Sequence, residues 1–166
     1  MSEFILVCDA LVLNEKGEAL FQKRKITNNP DMWTIPGGKV KIGERLEDTV
    51  VREVLEEHDI NIKTFGYLQH FEVIRPKNHY IYFTYIAKLI SGTPKIMEPD
   101  KCSEVGFFSL DELPEPMTSQ TKDYIKNYPI LYFSTQKAHP YSTKFGDAPT
   151  GNRTRYSCAT GKCFSH

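Results

Sequence analysis

Over most of this chain, apolar residues come in short runs separated by turn-forming residues. Phe4 to Leu13 is dense in Ile, Leu and Val and predicts a buried strand. Asn14-Glu15-Lys16-Gly17 follows as a hairpin turn, with glycine supplying positive φ. A second strand is predicted from Ala19 to Lys25 and a short one from Trp33 to Ile35, ended by Pro36-Gly37-Gly38. Ile60 to Ile74 and Tyr80 to Ile90 read as two long strands joined by a turn containing Arg75-Pro76-Lys77-Asn78. Ser91 to Ser103 reads as loop, and Val105 to Phe108 as a last short strand.

Two segments change period. Leu46 to His58 is the strongest helix, with Val50, Val51, Val54 and Leu55 as its apolar stripe. Met117 to Tyr128 is the second, with Met117, Tyr124 and Tyr128 able to face a core. Strands outnumber helices, and the helices fall mid-chain and late. That order predicts an α+β layered sandwich on a mixed sheet. A body of residues 1–133 is enough for one domain with one core. Residues 134–166 are rich in Ser, Thr, Gly and Pro and lack periodicity, which predicts a disordered or loosely packed tail.

Composition removes several function classes. Formal net charge is zero, so no bulk attraction to DNA, RNA or anionic membrane is expected. The tail holds Lys137, Lys144, Arg153, Arg155 and Lys162 against Asp147, which leaves the body acidic. Phe4 to Leu13 is too short for a membrane span and has no basic flank of a signal peptide. Cys8, Cys102, Cys158 and Cys163 lack CxxC spacing, which disfavours zinc and fits free thiols of a cytoplasmic protein.

The predicted helix carries an electrostatic anomaly. Glu53, Glu56 and Glu57 stand at i, i+3 and i+4, on one helix face. Two carboxylates about 4 Å apart repel by roughly 4 kcal/mol at an effective dielectric near 20. Such a cluster suits a hard divalent cation, Mg²⁺ or Mn²⁺. Glu44, before the helix, could join the ligands or favour the helix N-terminus. Arg52 lies at i, i+4 to Glu56 and could orient it with a bidentate contact.

Gly38, five residues, Glu44, seven residues, then Arg52-Glu53-Val54-Leu55-Glu56-Glu57-His58-Asp59-Ile60 resembles the Nudix box. One fixed position differs: Asp59 stands where the family has glycine. Glycine there ends the helix in a left-handed conformation, which Asp tolerates better than most residues. The resemblance extends to Trp33-Thr34-Ile35-Pro36-Gly37-Gly38 and to Phe107-Phe108-Ser109-Leu110-Asp111-Glu112-Leu113-Pro114, and spans about residues 4–130. It implies a Nudix-type α/β/α sandwich with a mixed β-sheet. It also implies metal ligation by the Gly38 carbonyl, Glu53, Glu56 and Glu57, with Glu44 as a further ligand. Glu53 becomes the first choice of catalytic base, Glu104 the second, and Arg52 the residue that orients the carboxylates. Lys39, Arg24 and Lys23 are the candidate phosphate contacts; strand alternation brings only one of the last two to the site.

The resemblance implies metal-dependent hydrolysis of a nucleoside diphosphate linked to another group. Its similarity to small MutT-like nucleoside triphosphate pyrophosphohydrolases points to triphosphates, oxidised or non-standard ones included, cleaved to monophosphate and pyrophosphate. Met97-Glu98-Pro99-Asp100-Lys101-Cys102 resembles a stretch of one such subgroup. A nucleotide-sugar or ADP-ribose diphosphatase is the alternative, and a non-catalytic nucleotide-binding module a further one. RNA cap removal is disfavoured because no basic cleft is legible. Phe71, Tyr80, Tyr82 and Phe133 are the aromatics that could stack on a base. The partner expected is a small nucleotide; the resemblance leaves a homodimer open, because many relatives dimerise but no contiguous apolar surface can be read from the sequence.

Overall fold

The computed structural model describes residues 3–25 and 30–138. Strands β1 (Glu3–Leu13), β2 (Ala19–Arg24), β3 (Trp33–Thr34) and β4 (Gly37–Lys39) come first, followed by helix α1 (Leu46–His58). Then come β5 (Asn61–Ile74), β6 (Asn78–Ser91), β7 (Cys102–Phe108) and helix α2 (Ser119–Ala138). The sheet runs β3-β2-β1-β6-β5, with β4 paired to β1 and β7 to β2. β1 and β6 are parallel over the whole of β1, and the other pairs are antiparallel. One edge of β1 is divided between β4, at Val7 to Asp9, and β2, at Leu13. Splitting that edge curls the mixed sheet around α1.

Strand alternation explains why the first run is apolar throughout. Cys8, Ala10 and Val12 pack with Val50 and Val54 of α1. Leu11 and Leu13 pack on the other face with Phe21, Trp33, Met117 and Tyr124. A strand buried on both faces has no polar side to show. Asp9 is the exception, an acid 8% exposed in the middle of this run.

Helix α1 has the predicted bounds, but its buried stripe differs. Val50 and Val54 are fully buried, whereas Val51 and Leu55 are 37% and 43% exposed. Thr49 and His58 are buried in their place. The buried face is therefore the row 50, 54 and 58 with Thr49 beside it, and Val51 and Leu55 lie on the side of that row away from Glu53 and Glu57. Asp59 ends the helix at φ 55, ψ 38, its N–H bonded to the Leu55 carbonyl. The helix stop expected of the missing glycine is made by an acid.

Several boundaries move. Gly37 and Gly38 form β4 instead of only breaking β3. β7 begins at Cys102, inside the predicted loop. α2 starts at Ser119, with Met117 just outside bridging to Trp33. It then passes Pro129 and continues to Ala138. Pro129 removes one backbone donor, and the helix runs on through residues 134–138. Residues 139–166, and with them most of the proposed tail, lie outside the described residues. Among those described, no helix is long and apolar enough to cross a membrane.

Left-handed backbone costs a non-glycine residue about 1 kcal/mol, more than an exposed ion pair such as Asp59 with Lys95 returns. Asp59→Gly is therefore expected to raise unfolding stability by up to about 1 kcal/mol, and Asp59→Val to lower it, in urea denaturation at fixed pH.

Candidate active site

The site is organised by β4. Its register on β1 sets Gly38 opposite Cys8 and Gly37 opposite Asp9. A Cβ on Gly38 would fall inside the Glu53 carboxyl group, and one on Gly37 inside the Cys8 carbonyl and Asp9. Gly37 also has φ 154. Both glycines are required by close approach: one admits Glu53 to the backbone from the α1 side, the other lets β4 lie against Asp9.

Glu57 is held from the same strand. Its Oε2 accepts from the Gly37 N–H at 3.1 Å and from Gln22 Nε2 at 3.2 Å. Burial pushes the Glu57 carboxyl up to about 8; the Gly37 N–H and Gln22 pull it down, while the fields of Glu53 and Glu98 raise it further. A carboxylate buried among like charges is one that a divalent cation would return to its ionised form.

Arg52 holds the remaining acids. Its Nε and Nη2 donate to the two Glu44 oxygens at 2.7 and 2.9 Å. Nη1 donates to Glu53 Oε1 at 2.6 Å and Glu56 Oε2 at 3.0 Å, and Nη2 also reaches the Lys39 carbonyl at 3.2 Å. The bidentate contact is thus made to Glu44, not to Glu56 as the helical spacing predicts. Glu44 also accepts from Thr49 Oγ1 at 2.8 Å and the Lys41 N–H at 3.1 Å. Arg52 above all holds its carboxyl down at about 2. Helix α1 starts at Arg45 without a side-chain cap, so Glu44 serves as the anchor of Arg52 and not as the helix cap. Glu56 is half-exposed, with Lys41 Nζ at 3.6 Å.

Glu104 is not brought to these carboxylates. It stands in register with Lys23 and forms a 2.7 Å ion pair with it. The neighbouring pair, Gln22 and Val105, faces α1, so strand alternation turns Lys23 and Glu104 to the other face. Alternation breaks at the next step, where the pairing shifts between Lys23 and Arg24. Arg24 lines an open cleft, and Lys39 is exposed beside Gly38.

Two residues near the carboxylates were not read as site residues. The segment after β6 folds back on the end of α1, with Lys95 N–H on the His58 carbonyl and Met97 N–H on the Glu57 carbonyl, both at 3.0 Å. This brings Glu98 close enough to raise Glu57, and Lys101, which pairs with Glu98 at 2.7 Å, into the field of Glu57 and Glu53. The signal available was the acid in Met97-Glu98-Pro99-Asp100-Lys101-Cys102, but nothing local points it at α1.

The cleft lies on the α2 face of the sheet. About 110 Å³ in volume, it is lined by Asp9, Arg24, Phe71, Arg75, Tyr82 and Tyr124, among others. Phe71 and Tyr82 stack with centroids 4.4 Å apart and planes 10° apart. Of the aromatics proposed for a base, these two reach the cleft; Tyr80 stands beyond Tyr82, and the side chain of Phe133 is outside the described set. Arg24 and Arg75 give the cleft a basic character that the sequence alone did not disclose, because they come from β2 and the β5–β6 turn.

Among the described residues, no three acidic, histidine or cysteine groups converge on a closed metal cage. This is compatible with Mg²⁺, which keeps several waters and is commonly bound by one or two carboxylates plus substrate phosphates. Glu57, buried among like charges, and Glu53, pressed on the Gly38 backbone, fit that demand.

A curled mixed sheet between two helices, with glutamates of the first helix set against a two-glycine strand, is the arrangement of a Nudix hydrolase domain. Residues 4–128 match the model of the NUDIX domain, and the chain belongs to that family. NAD-capped RNA hydrolase NudC of Pectobacterium carotovorum is 31% identical over 105 residues, covering 63% of this chain and 39% of NudC. The chain therefore spans well under half the length of that relative. ADP-ribose pyrophosphatase of Methanocaldococcus jannaschii is 32% identical over 121 residues, 70% of this chain and 69% of the relative. The crystal structure of a MutT NUDIX hydrolase from Burkholderia pseudomallei superposes with a TM-score of 0.69 at 32% identity, covering 75% of this chain and 97% of that one.

Two outcomes follow. Arg52→Lys cannot hold Glu44, Glu53 and Glu56 together, and is expected to lower activity about 10–100-fold in steady-state assays with little change in melting temperature. The raised Glu57 carboxyl binds a proton more tightly folded than unfolded. Its contribution to metal-free stability is fully present below the ordinary glutamate range and is lost as pH rises through about 8. Metal-free Glu57→Gln is therefore expected to lose less stability than the parent between pH 5 and 9 in thermal denaturation; equal slopes would contradict the placement of Glu57.

Proposed function

We propose that this protein hydrolyses the diphosphate linkage of nucleoside triphosphates, giving the monophosphate and pyrophosphate. One observation carries the reading. The glutamate cluster and the aromatic cleft meet across a single strand, with Gly38 against Glu53 on one side and Gly37 against Asp9 on the other. A nucleotide laid across β4 puts its diphosphate at Glu53 and Glu57 and its base between the walls of the cleft.

Glu53, Glu56 and Glu57 would hold Mg²⁺ or Mn²⁺, with the Gly38 carbonyl. A divalent ion there supplies charge neutralisation of phosphate oxygens and a water acidic enough to attack near neutral pH. The remaining work falls to the chain. Arg52 fixes Glu53 through Oε1, which leaves Oε2, the oxygen lying on Gly38, to accept the proton of the attacking water. Water oxygen bonds to phosphorus as the anhydride oxygen departs with the leaving phosphate. Lys39 and Arg24 would meet phosphate; Lys23 pairs with Glu104.

ADP-ribose hydrolysis is the second reading, favoured by the 32% identity to the Methanocaldococcus enzyme over most of both chains. The same site would serve it, because the scissile bond is again a diphosphate.

Incubation with a panel of nucleoside triphosphates, ADP-ribose and nucleotide sugars tests the proposal. Pyrophosphate release from triphosphates, dependent on Mg²⁺ and stopped by chelation, is expected. Release that survives chelation refutes the mechanism, and turnover confined to ADP-ribose replaces the substrate. Glu57→Gln is expected to lose about 10³-fold in rate while remaining folded by circular dichroism.

A further inference from the structure

The floor of the cleft is closed on itself. Tyr124 donates its O–H to Asp9 Oδ2 at 3.1 Å, and the Thr84 hydroxyl acts on the same buried carboxyl. Phe71 and Tyr82 pack their faces on each other, with ring centroids 4.4 Å apart. What the cleft still offers a ligand is its rim, and the rim is cationic.

Arg24 and Arg75 line it from two separate elements. Arg24 ends β2, with its N–H on the Met32 carbonyl at 3.0 Å and its carbonyl on the Asp31 N–H at 2.8 Å. Arg75 is exposed on the β5–β6 turn, its N–H on the Asn78 carbonyl at 2.9 Å. Burial and Asp9 raise the Tyr82 hydroxyl, whereas the fields of Arg24 and Arg75 both pull it down, so the two guanidinium groups reach one wall. Thr118 and Gln120 add neutral polar groups at the start of α2, whose first turn holds no acid. Two forked cations beside neutral donors suit a phosphate group. The nucleoside end of an ordinary triphosphate is uncharged and offers neither guanidinium an anion.

We propose that the cleft binds a phosphate monoester on the ribose of the substrate, so that nucleotides phosphorylated at the 2′- or 3′-hydroxyl are preferred over plain ones, with Arg75 deciding the preference. This rests on the proposed placement of the nucleoside end in the cleft. Dinucleotide-binding folds tell a 2′-phosphorylated cofactor from the plain one by the same means, an arginine at the ribose. Arg75 lines the cleft on the α2 face, while Glu53 and Glu57 belong to α1. Its contact therefore adds to binding without touching the reacting diphosphate.

Binding of AMP, adenosine 2′,5′-bisphosphate, adenosine 3′,5′-bisphosphate and pyrophosphate, measured by calorimetry near neutral pH with Mg²⁺, tests this without requiring turnover. At least one bisphosphate is expected to bind on the order of tenfold more tightly than AMP, with a margin that shrinks as salt is added. Arg75→Gln is expected to erase the margin and Arg75→Lys to keep part of it, with the melting temperature unchanged because the side chain is exposed. Pyrophosphate binding should be indifferent to both substitutions. Equal binding of AMP and both bisphosphates, no binding of any adenosine ligand, a margin that survives Arg75→Gln, or a loss that falls on pyrophosphate instead overturns the inference. Hydrolysis of triphosphates at equal efficiency with and without a ribose phosphate sinks it and leaves the proposed activity standing. Selective bisphosphate binding with no hydrolysis of any triphosphate does the reverse.

Discussion

Glu57 accepts a hydrogen bond from the backbone of Gly37, and the layout of the site depends on that link. It ties a half-buried acid on α1 to a strand whose first two residues have no side chains. Because Gly37 and Gly38 are bare, Glu53 can lie on β4 from one side and Asp9 from the other. Any side chain at either glycine would separate the acids from the backbone that aligns them. The two halves of the site are therefore neighbours by virtue of missing atoms.

Electrostatics then divide the labour among the glutamates. Glu44 keeps its charge against Arg52, which holds its carboxyl far down. Arg52 in turn restrains Glu53 and Glu56, both of which retain a second oxygen outside its grip. Glu57 has no arginine and is the most reluctant to ionise. One fold thus sets neighbouring carboxyls at opposite ends of their range, an arrangement typical of sites that bind cations and move protons.

Much of this was legible because α1 and its flanks are local. The bounds of the helix, its acid face and the left-handed stop at Asp59 depend on residues a few positions apart. What was missed depends on partners far along the chain. Pro36-Gly37-Gly38 reads as a break because the strand pairing with it, β1, lies about thirty residues earlier. Glu98 reads as a loop acid because only the fold-back onto the Glu57 and His58 carbonyls aims it. Glu104 reads as a possible base because it lies just before the aromatics of β7, but which face of β7 meets α1 is set by β2. Val51 and Leu55 have the spacing of a core stripe, and no local rule says that the sheet covers one row and leaves the next exposed.

The parallel pairing of β1 with β6 also bears on how the chain comes to be folded. β1 leaves the ribosome before β6, yet that full-length partner runs from Asn78 to Ser91. Until β6 emerges, this largely apolar eleven-residue ribbon has one whole edge without its hydrogen-bonding mate. Non-local closure of this kind is slow and exposes the nascent segment to wrong partners. The acid embedded in that ribbon, Asp9, interrupts its greasiness while it waits, as gatekeeper charges do in strands prone to self-association.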